Sequence, residues 1–287
     1  MNGANYKTKN LDVVYFVREG ENEELRYSLR SVEKNLPHRK VWIIGGKPED
    51  INPDEFIRIP QDEPGKTKWD KIRANLELVA THDGITEDFI LMNDDFFINQ
   101  PTEELPPAYR GTLRQHYEAI EHQYHGTTPY TIELRRTERA LENAGKTMLS
   151  YELHIPIIIN RKKLLETVLE FPNSHGTRTL YGNRNRIGGE QKKDVKIYPN
   201  SKTMPDDTWQ FISSDDSTWG DTELTRYIQQ RFPEKSKWEK ALTLNATGTK
   251  IKIQGNSKKE ETWQKMPRNS KHKHQPRARS RTKTSAQ

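Results

Sequence analysis

The 287-residue chain contains no cysteine. Disulfides, thiolate metal centres and cysteine nucleophiles are thereby excluded, and a reducing compartment is the expected setting. Apolar residues are scarce at 31%, and no run reaches the 18 or so needed for a transmembrane helix, so no membrane span is expected. Residues 1–10 are polar and the first apolar run, 11–17, has a strand's length, so no secretory signal is expected either and the localisation reads as cytoplasmic. The chain also lacks Gly-x-x-x-x-Gly-Lys-Ser/Thr, Gly-x-Ser-x-Gly and His-Glu-x-x-His. Phosphate-loop hydrolysis, α/β-hydrolase chemistry and zincin proteolysis are therefore poor readings.

The net charge of +6 is unevenly spread. Residues 246–287 hold 12 of the 47 Lys and Arg but 2 of the 41 Asp and Glu, a local +10 that leaves the rest of the chain at −4. From Asn256 onward the composition is Lys, Arg, Ser, Gln and Pro with only Trp263 and Met266 of the larger apolar residues, too little to offset the entropy of ordering. We divide the chain into a folded domain at 1–245 and a basic, disordered tail at 246–287. Such a tail is able to hold nucleic acid by counterion release, or to be a solvated extension without specific consequence.

Before the tail, the pattern alternates between strand and helix. Residues 11–17, 41–44 and 56–59 read as strands, and the helix between the first two, Glu24–Asn35, places Leu25, Leu29, Val32 and Leu36 on one face. A second helix at 68–82 aligns Trp69, Ile72, Leu76 and Val79. Residues 88–95 close a Rossmann-like half. After a proline-marked loop, 114–145 reads as largely helical and lying over the site, and 149–160 as an edge strand or bulge because Pro156 interrupts it; a helix follows at 161–171. Residues 173–206 lack periodicity and read as a mobile insertion or lid, followed by a strand at 209–212, a loop at 213–220 and a helix at 221–231.

The most informative stretch is Asp88-Phe89-Ile90-Leu91-Met92-Asn93-Asp94-Asp95-Phe96-Phe97, where an apolar strand runs into an amide and two carboxylates. Ligands of open α/β sheets bind beyond the carboxyl ends of such strands. Alternation along a strand points Asn93 and Asp95 one way and Asp94 the other. Asp95 is suited to hold Mg²⁺ or Mn²⁺, with Asp94 in support and Asn93 hydrogen-bonding a nucleotide or sugar. Carboxylates also follow strands simply as turn formers.

This stretch, together with Asn22-Glu23-Glu24-Leu25-Arg26-Tyr27-Ser28-Leu29-Arg30-Ser31-Val32-Glu33-Lys34-Asn35 and the strand Lys40–Gly45, resembles the Stealth-type capsular polysaccharide phosphotransferases and the shorter phage and prophage glycosyltransferase-like proteins related to them. Looser matches occur at Leu11–Val17, Leu153–Asn160, Ser213–Asp216 and Phe232–Glu239, so the resemblance spans roughly 11–240. The longer Stealth enzymes carry a Trp-Val-x-Gly-Ser-Asp type element after the first strand, where this chain has Val17-Arg18-Glu19-Gly20-Glu21-Asn22. The resemblance implies a single GT-A-like, Rossmann-like α/β domain with a mixed sheet, which uses a nucleoside-diphosphate sugar and a divalent metal. It also implies that Asn93 stands where such enzymes place the first Asp of an Asp-x-Asp element.

On this reading Asp95 and His154 are candidate metal ligands, and Asp94, His154, Asp215 and Asp216 are candidates for acid–base work. Arg26 and Arg30, four apart on one helical face, are candidate phosphate clamps, as are Lys68 and Lys71 at the start of the second helix, with Asn93 as a further donor contact. Each has a plainer reading: a structural histidine, a helix-capping loop, or surface charge. The function implied is metal-dependent transfer of a sugar to a polysaccharide, a virion protein or modified DNA. The alternatives are Stealth-type sugar-1-phosphate transfer and a non-catalytic nucleic-acid-binding protein working through its tail. A phage-encoded protein would act in the host cytoplasm.

Overall fold

The computed structural model describes residues 6–59, 68–174, 176–220 and 222–240, together with short strand segments at 243–244, 250–251 and 261–262. The first half of the chain runs β1 (Asp12–Val17), α1 (Glu23–Asn35), β2 (Val41–Gly45), β3 (Glu55–Arg58), α2 (Lys68–Thr81), β4 (Asp88–Met92) and β5 (Phe96–Ile98). There follow β6 (Ala108–Tyr109), β7 (Gly111–Thr112), α3 (Leu113–Gln123), α4 (Pro129–Asn143), β8 (Leu149–Ser150) and β9 (Ile157–Asn160). The order continues with α5 (Arg161–Glu170), α6 (Thr177–Arg184), β10 (Glu190–Gln191), β11 (Lys196–Ile197), β12 (Phe211–Ser214) and α7 (Glu223–Arg231). Last come β13 (Thr243–Leu244), β14 (Lys250–Ile251) and β15 (Glu261–Thr262).

The main sheet has the order β15-β3-β2-β1-β4-β9. Strands β1 to β4 are parallel and β9 joins antiparallel at the edge, making the sheet mixed. β1 is buried on both faces, so its near-continuous apolar run is what a central parallel strand requires. Val13, Tyr15 and Val17 pack with Leu25, Leu29 and Val32 of α1, whereas Val14 packs on the opposite face with Leu76 and Val79 of α2 and with Leu164 of α5. The period of two along β1 thus supplies two helical layers with one core each.

α1 is capped by Asn22, whose side chain accepts from the Leu25 amide at 2.9 Å. Its buried polar residues have a structural task. Ser28 Oγ donates to the Phe96 carbonyl at 2.5 Å, Ser31 Oγ accepts from the Ile98 amide at 2.9 Å, and Asn35 Nδ2 donates to the Ile98 carbonyl at 2.6 Å. β5 pairs through its other edge with β12, in the second sheet β11-β12-β5. The serines and Asn35 of the helical motif therefore satisfy a buried strand edge.

Several sequence-based boundaries shift. The strand expected over 88–95 ends at Met92, because Asn93 to Asp95 make a turn closed by the Phe96 amide on the Asn93 carbonyl at 3.2 Å. Phe96 then leaves for the second sheet. The strand expected at 209–212 is displaced to Phe211–Ser214 by its register against β5, in which Ile212 opposes Phe97. The final helix begins at Glu223, capped by Thr222; Asp221 lies outside the described residues. The 114–145 helical stretch is two helices, α3 and α4, each started by a capping box.

The expected lid at 173–206 is instead built into the fold. α6 is buried through Thr179, Leu180, Tyr181 and Asn183, and packs with α4 and α5. Its sequence shows no apolar stripe because its buried polar groups are satisfied: Asn183 Nδ2 donates to the Leu149 and Thr179 carbonyls at 2.7 and 2.8 Å. The tail expected to be disordered lies outside the described residues apart from 250–251 and 261–262. The first of these pairs with β13, and the second joins the main sheet beside β3. Among the described residues no helix is long and apolar enough to cross a membrane.

Candidate active site

In the main sheet, β2 and β4 flank β1 on opposite sides, so the direction in which the chain adds strands reverses between β1 and β4. Loops that leave such strands in opposite directions open a crevice at their carboxyl ends. Here the β1 loop runs through Arg18 to Asn22, and the β4 turn is Asn93-Asp94-Asp95. A hydrogen bond from Asn22 Nδ2 to Asp94 Oδ2, at 2.6 Å, ties the two sides together. The β2 loop closes tightly on the same region, where a Cβ on Gly46 would meet the Glu19 nitrogen at 2.1 Å.

The two carboxylates of the turn have different surroundings. Asp94 faces Asn22, and burial, reinforced by the charge of Asp95, raises its carboxyl above the usual range despite that hydrogen bond. Asp95 is buried against the second sheet: its Oδ2 accepts from Ser213 Oγ at 3.0 Å and lies 3.3 Å from Lys196 Nζ. Burial alone would pull the Lys196 ammonium down, but Asp95 outweighs it and the ammonium is held up. Asn93 is exposed at the mouth.

Glu24, in the first turn of α1, accepts from Ser214 Oγ at 2.5 Å. Burial, together with the neighbouring charges of Asp94, Asp95 and Asp216, pushes its carboxyl up to about 6 despite that bond. Asp215 serves its own turn, accepting from the Ser217 amide at 3.1 Å, while its other oxygen lies 4.0 Å from Lys196. Asp216 is exposed.

His154 lies in a bend just before β9 rather than on a strand. Its amide donates to Asp194 Oδ1 at 3.0 Å and its Nδ1 is 2.8 Å from Asp194 Oδ2. With Nδ1 carrying the proton toward Asp194, Nε2 keeps its lone pair. Arg110 Nη1 meets the same Asp194 oxygen at 2.8 Å. Burial would raise the Asp194 carboxyl, yet the hydrogen bond from His154 and the charge that imidazole carries when protonated, with Arg110, hold it down at about 2. Arg178 braces the bend from beneath, with Nη1 donating to the Leu153 and Ile155 carbonyls at 3.0 and 2.6 Å. Its guanidinium lies 5.1 Å from the Phe96 ring, which meets the His154 ring edge-on at 6.1 Å.

The expected sharing of a metal by Asp95 and His154 is not matched by these placements. Asp95 faces an ammonium and a hydroxyl, His154 faces Asp194, and among the described residues no three His, Cys, Asp or Glu side chains converge as a metal site. In this arrangement the donors do not fit a divalent ion, and the charge next to the acids comes from Lys196, Arg110 and Arg178.

The helix-face arginines are engaged elsewhere. Arg30 makes a bidentate pair with Glu239 at 2.6 and 2.8 Å and donates to the Phe232 and Pro233 carbonyls, which corrects the expectation of a phosphate clamp there. Arg26 lies 3.5 Å from Asp50 and 3.9 Å from Glu239. Lys71 is partly exposed in the first turns of α2, and the side chain of Lys68 lies outside the described residues.

Sequence reasoning overlooked Glu24, Asp194, Lys196, Arg110 and Arg178. The alternation Asp194-Val195-Lys196-Ile197 was the available signal for a short strand with both charges on one face.

No family model and no curated protein matches the sequence. Among solved structures, a galactosyltransferase LgtC determined in complex with donor and acceptor sugar analogs is similar, at 12% identity over 78% of this chain and 94% of that one. The TM-score is 0.39, a level of likeness that bears on neither fold family nor activity.

Proposed function

We propose that the protein is a transferase of GT-A type whose donor, a nucleoside-diphosphate sugar, sits at the switch point between β1 and β4. The observation that carries this reading is the assembly, beyond those strand ends, of an oriented histidine (His154 on Asp194) and a buried carboxylate–ammonium pair (Asp95 with Lys196). Nε2 of His154 takes the proton of an acceptor hydroxyl as its oxygen attacks the anomeric carbon. The bond from that carbon to the diphosphate oxygen breaks, its electron pair stays on the diphosphate, and Lys196 and Arg110 stabilise the charge. Asp95 holds Lys196 in place, while Asn93 and Lys71 are proposed donor contacts. Glu24, Asp94, Asp215 and Asp216 set the local field; they are proposed to orient donor hydroxyls rather than to take the proton.

The test is turnover of a panel of nucleotide sugars with a mixed set of hydroxyl acceptors, with Mg²⁺ or Mn²⁺ and separately with a chelator, resolving nucleoside diphosphate from monophosphate. Diphosphate release that is lost in Asp95→Ala and His154→Ala supports the reading. Monophosphate release would replace it with attack at the β-phosphorus, the sugar-phosphate transfer of the Stealth enzymes that the sequence resembles. Strict dependence on the metal would return Asp95 to the role of a ligand.

A further inference from the structure

Beside His154 and Asp194 opens a cleft of about 620 Å³ lined by Arg110, Lys192, Lys193, Asp194, Lys196 and Tyr198. Its volume falls within the roughly 300–1,000 Å³ of ligand pockets. Its lining carries four cations against one carboxylate, in contrast to the acidic cluster at the strand ends. Lys196 and Arg110 belong to the chemistry already described, and Lys192 pairs with Glu190 at 3.6 Å, whereas Lys193 projects into solvent.

One tyrosine flanks the opening. Tyr198 lines it with 39% of its surface exposed, on a loop fixed by its own amide donating to Ser201 Oγ at 2.9 Å. A partly bare tyrosine ring offers an apolar face for stacking.

Resting on the function proposed above, we infer that this cleft is the acceptor site and that it takes an acidic saccharide. A sugar C–H face stacks on the negative π-face of Tyr198, while carboxylate or phosphate groups along the glycan meet Lys192 and Lys193. The hydroxyl to be modified then lies toward His154. A nucleic acid is the rival polyanion, which the titrations below separate from a glycan.

The 287-residue protein is titrated calorimetrically with a galacturonic acid hexasaccharide, with neutral maltohexaose and with a hexathymidylate, and the titrations are repeated on Lys193→Glu and Tyr198→Ala. Thermal melts verify that both variants fold. Galacturonate is expected to bind more tightly than maltohexaose, to weaken about tenfold in Lys193→Glu at low salt, and to weaken at least about fivefold in Tyr198→Ala. Because the basic segment 246–287 is retained in every sample, only the difference between wild type and cleft variants is read. Equal affinity in wild type and variants, equal affinity for the neutral glycan, no binding at all, or a cleft-dependent preference for hexathymidylate would each overturn the inference. Donor-nucleotide affinity, measured in parallel, is expected to be unchanged by both substitutions. Its absence in the wild type would refute the donor reading while the glycan result stood by itself.

Discussion

Truncating Glu239 tests how the resemblance-bearing segments are joined. Its carboxylate is 5% exposed and takes both Arg30 Nε and Nη2, at 2.6 and 2.8 Å, and the Ser236 amide at 2.9 Å. Arg30, 9% exposed, also donates to two carbonyls of the 232–233 turn and stacks 4.5 Å from the Tyr27 ring. Trp238, 1% exposed, follows that turn into the core. Glu239→Ala therefore leaves a guanidinium buried without its counter-charge, at a cost of about 3 kcal/mol or more. For a domain of this size, that lowers Tm by roughly 6–12 °C. The double variant Arg30→Met/Glu239→Leu removes both charges and is expected to cost less than the sum of the single losses, giving a coupling of about 2 kcal/mol in urea unfolding followed by tryptophan fluorescence. The pair also has an acid limb. Burial would raise the Glu239 carboxyl, but the Arg30 hydrogen bonds outweigh it and hold it low. Its stabilising contribution is therefore present above the ordinary glutamate pKa and is lost as pH falls through the lowered value, so acid below about pH 4.5 destabilises wild type more than Glu239→Gln. A loss below about 1 kcal/mol in Glu239→Ala, the behaviour of a surface pair, would refute the reasoning.

Glu24 predicts the opposite pH trend. With its carboxyl raised to about 6, it favours the fold fully below the ordinary glutamate pKa and progressively less as pH rises through 6. Glu24→Gln is accordingly expected to raise Tm at pH 8 and leave it nearly unchanged at pH 4, with a gain of at most about 2 kcal/mol before solvent screening. Gly46→Ala should destabilise by about 1–3 kcal/mol and disturb the Arg18 loop, because the new methyl would sit 2.1 Å from the Glu19 nitrogen and 2.3 Å from the Arg18 carbonyl carbon, both backbone atoms; calorimetry and amide exchange of residues 18–22 measure it. Asp194→Asn replaces the carboxylate that orients His154 with an amide whose NH2 can donate to Nδ1 and hold the opposite tautomer, and is expected to reduce kcat by about tenfold or more while KM for the donor changes little. An unchanged kcat would remove His154 from the chemistry.

Much of the main sheet was legible in the sequence because its signals are local and apolar. β1, β2 and β4 are buried runs, and Leu25, Leu29, Val32 and Leu36 do share the core face of α1. What could not be read was burial achieved by polar groups. α6 looked like a lid because Thr179 and Asn183 are buried through hydrogen bonds rather than by apolar spacing. Arg30 looked like a phosphate ligand because its partner, Glu239, is 209 residues away. At the site, the Asn93-Asp94-Asp95 turn was visible as acid ending a strand. The ammonium that faces Asp95 arrives from residue 196, on a second sheet whose strands are two to four residues long. Spacing along the chain carries no information about such a long-range pairing.

The most direct test of the donor reading is a crystal structure of the protein with a non-hydrolysable phosphonate analogue of the nucleotide sugar that gives the highest turnover. The diphosphate is expected between the carboxyl ends of β1 and β4, within hydrogen-bonding distance of Lys196, with the sugar directed toward His154. Density for the analogue elsewhere, such as the small cavity beside Arg73 and Phe171, with an empty β1–β4 crevice, would contradict it.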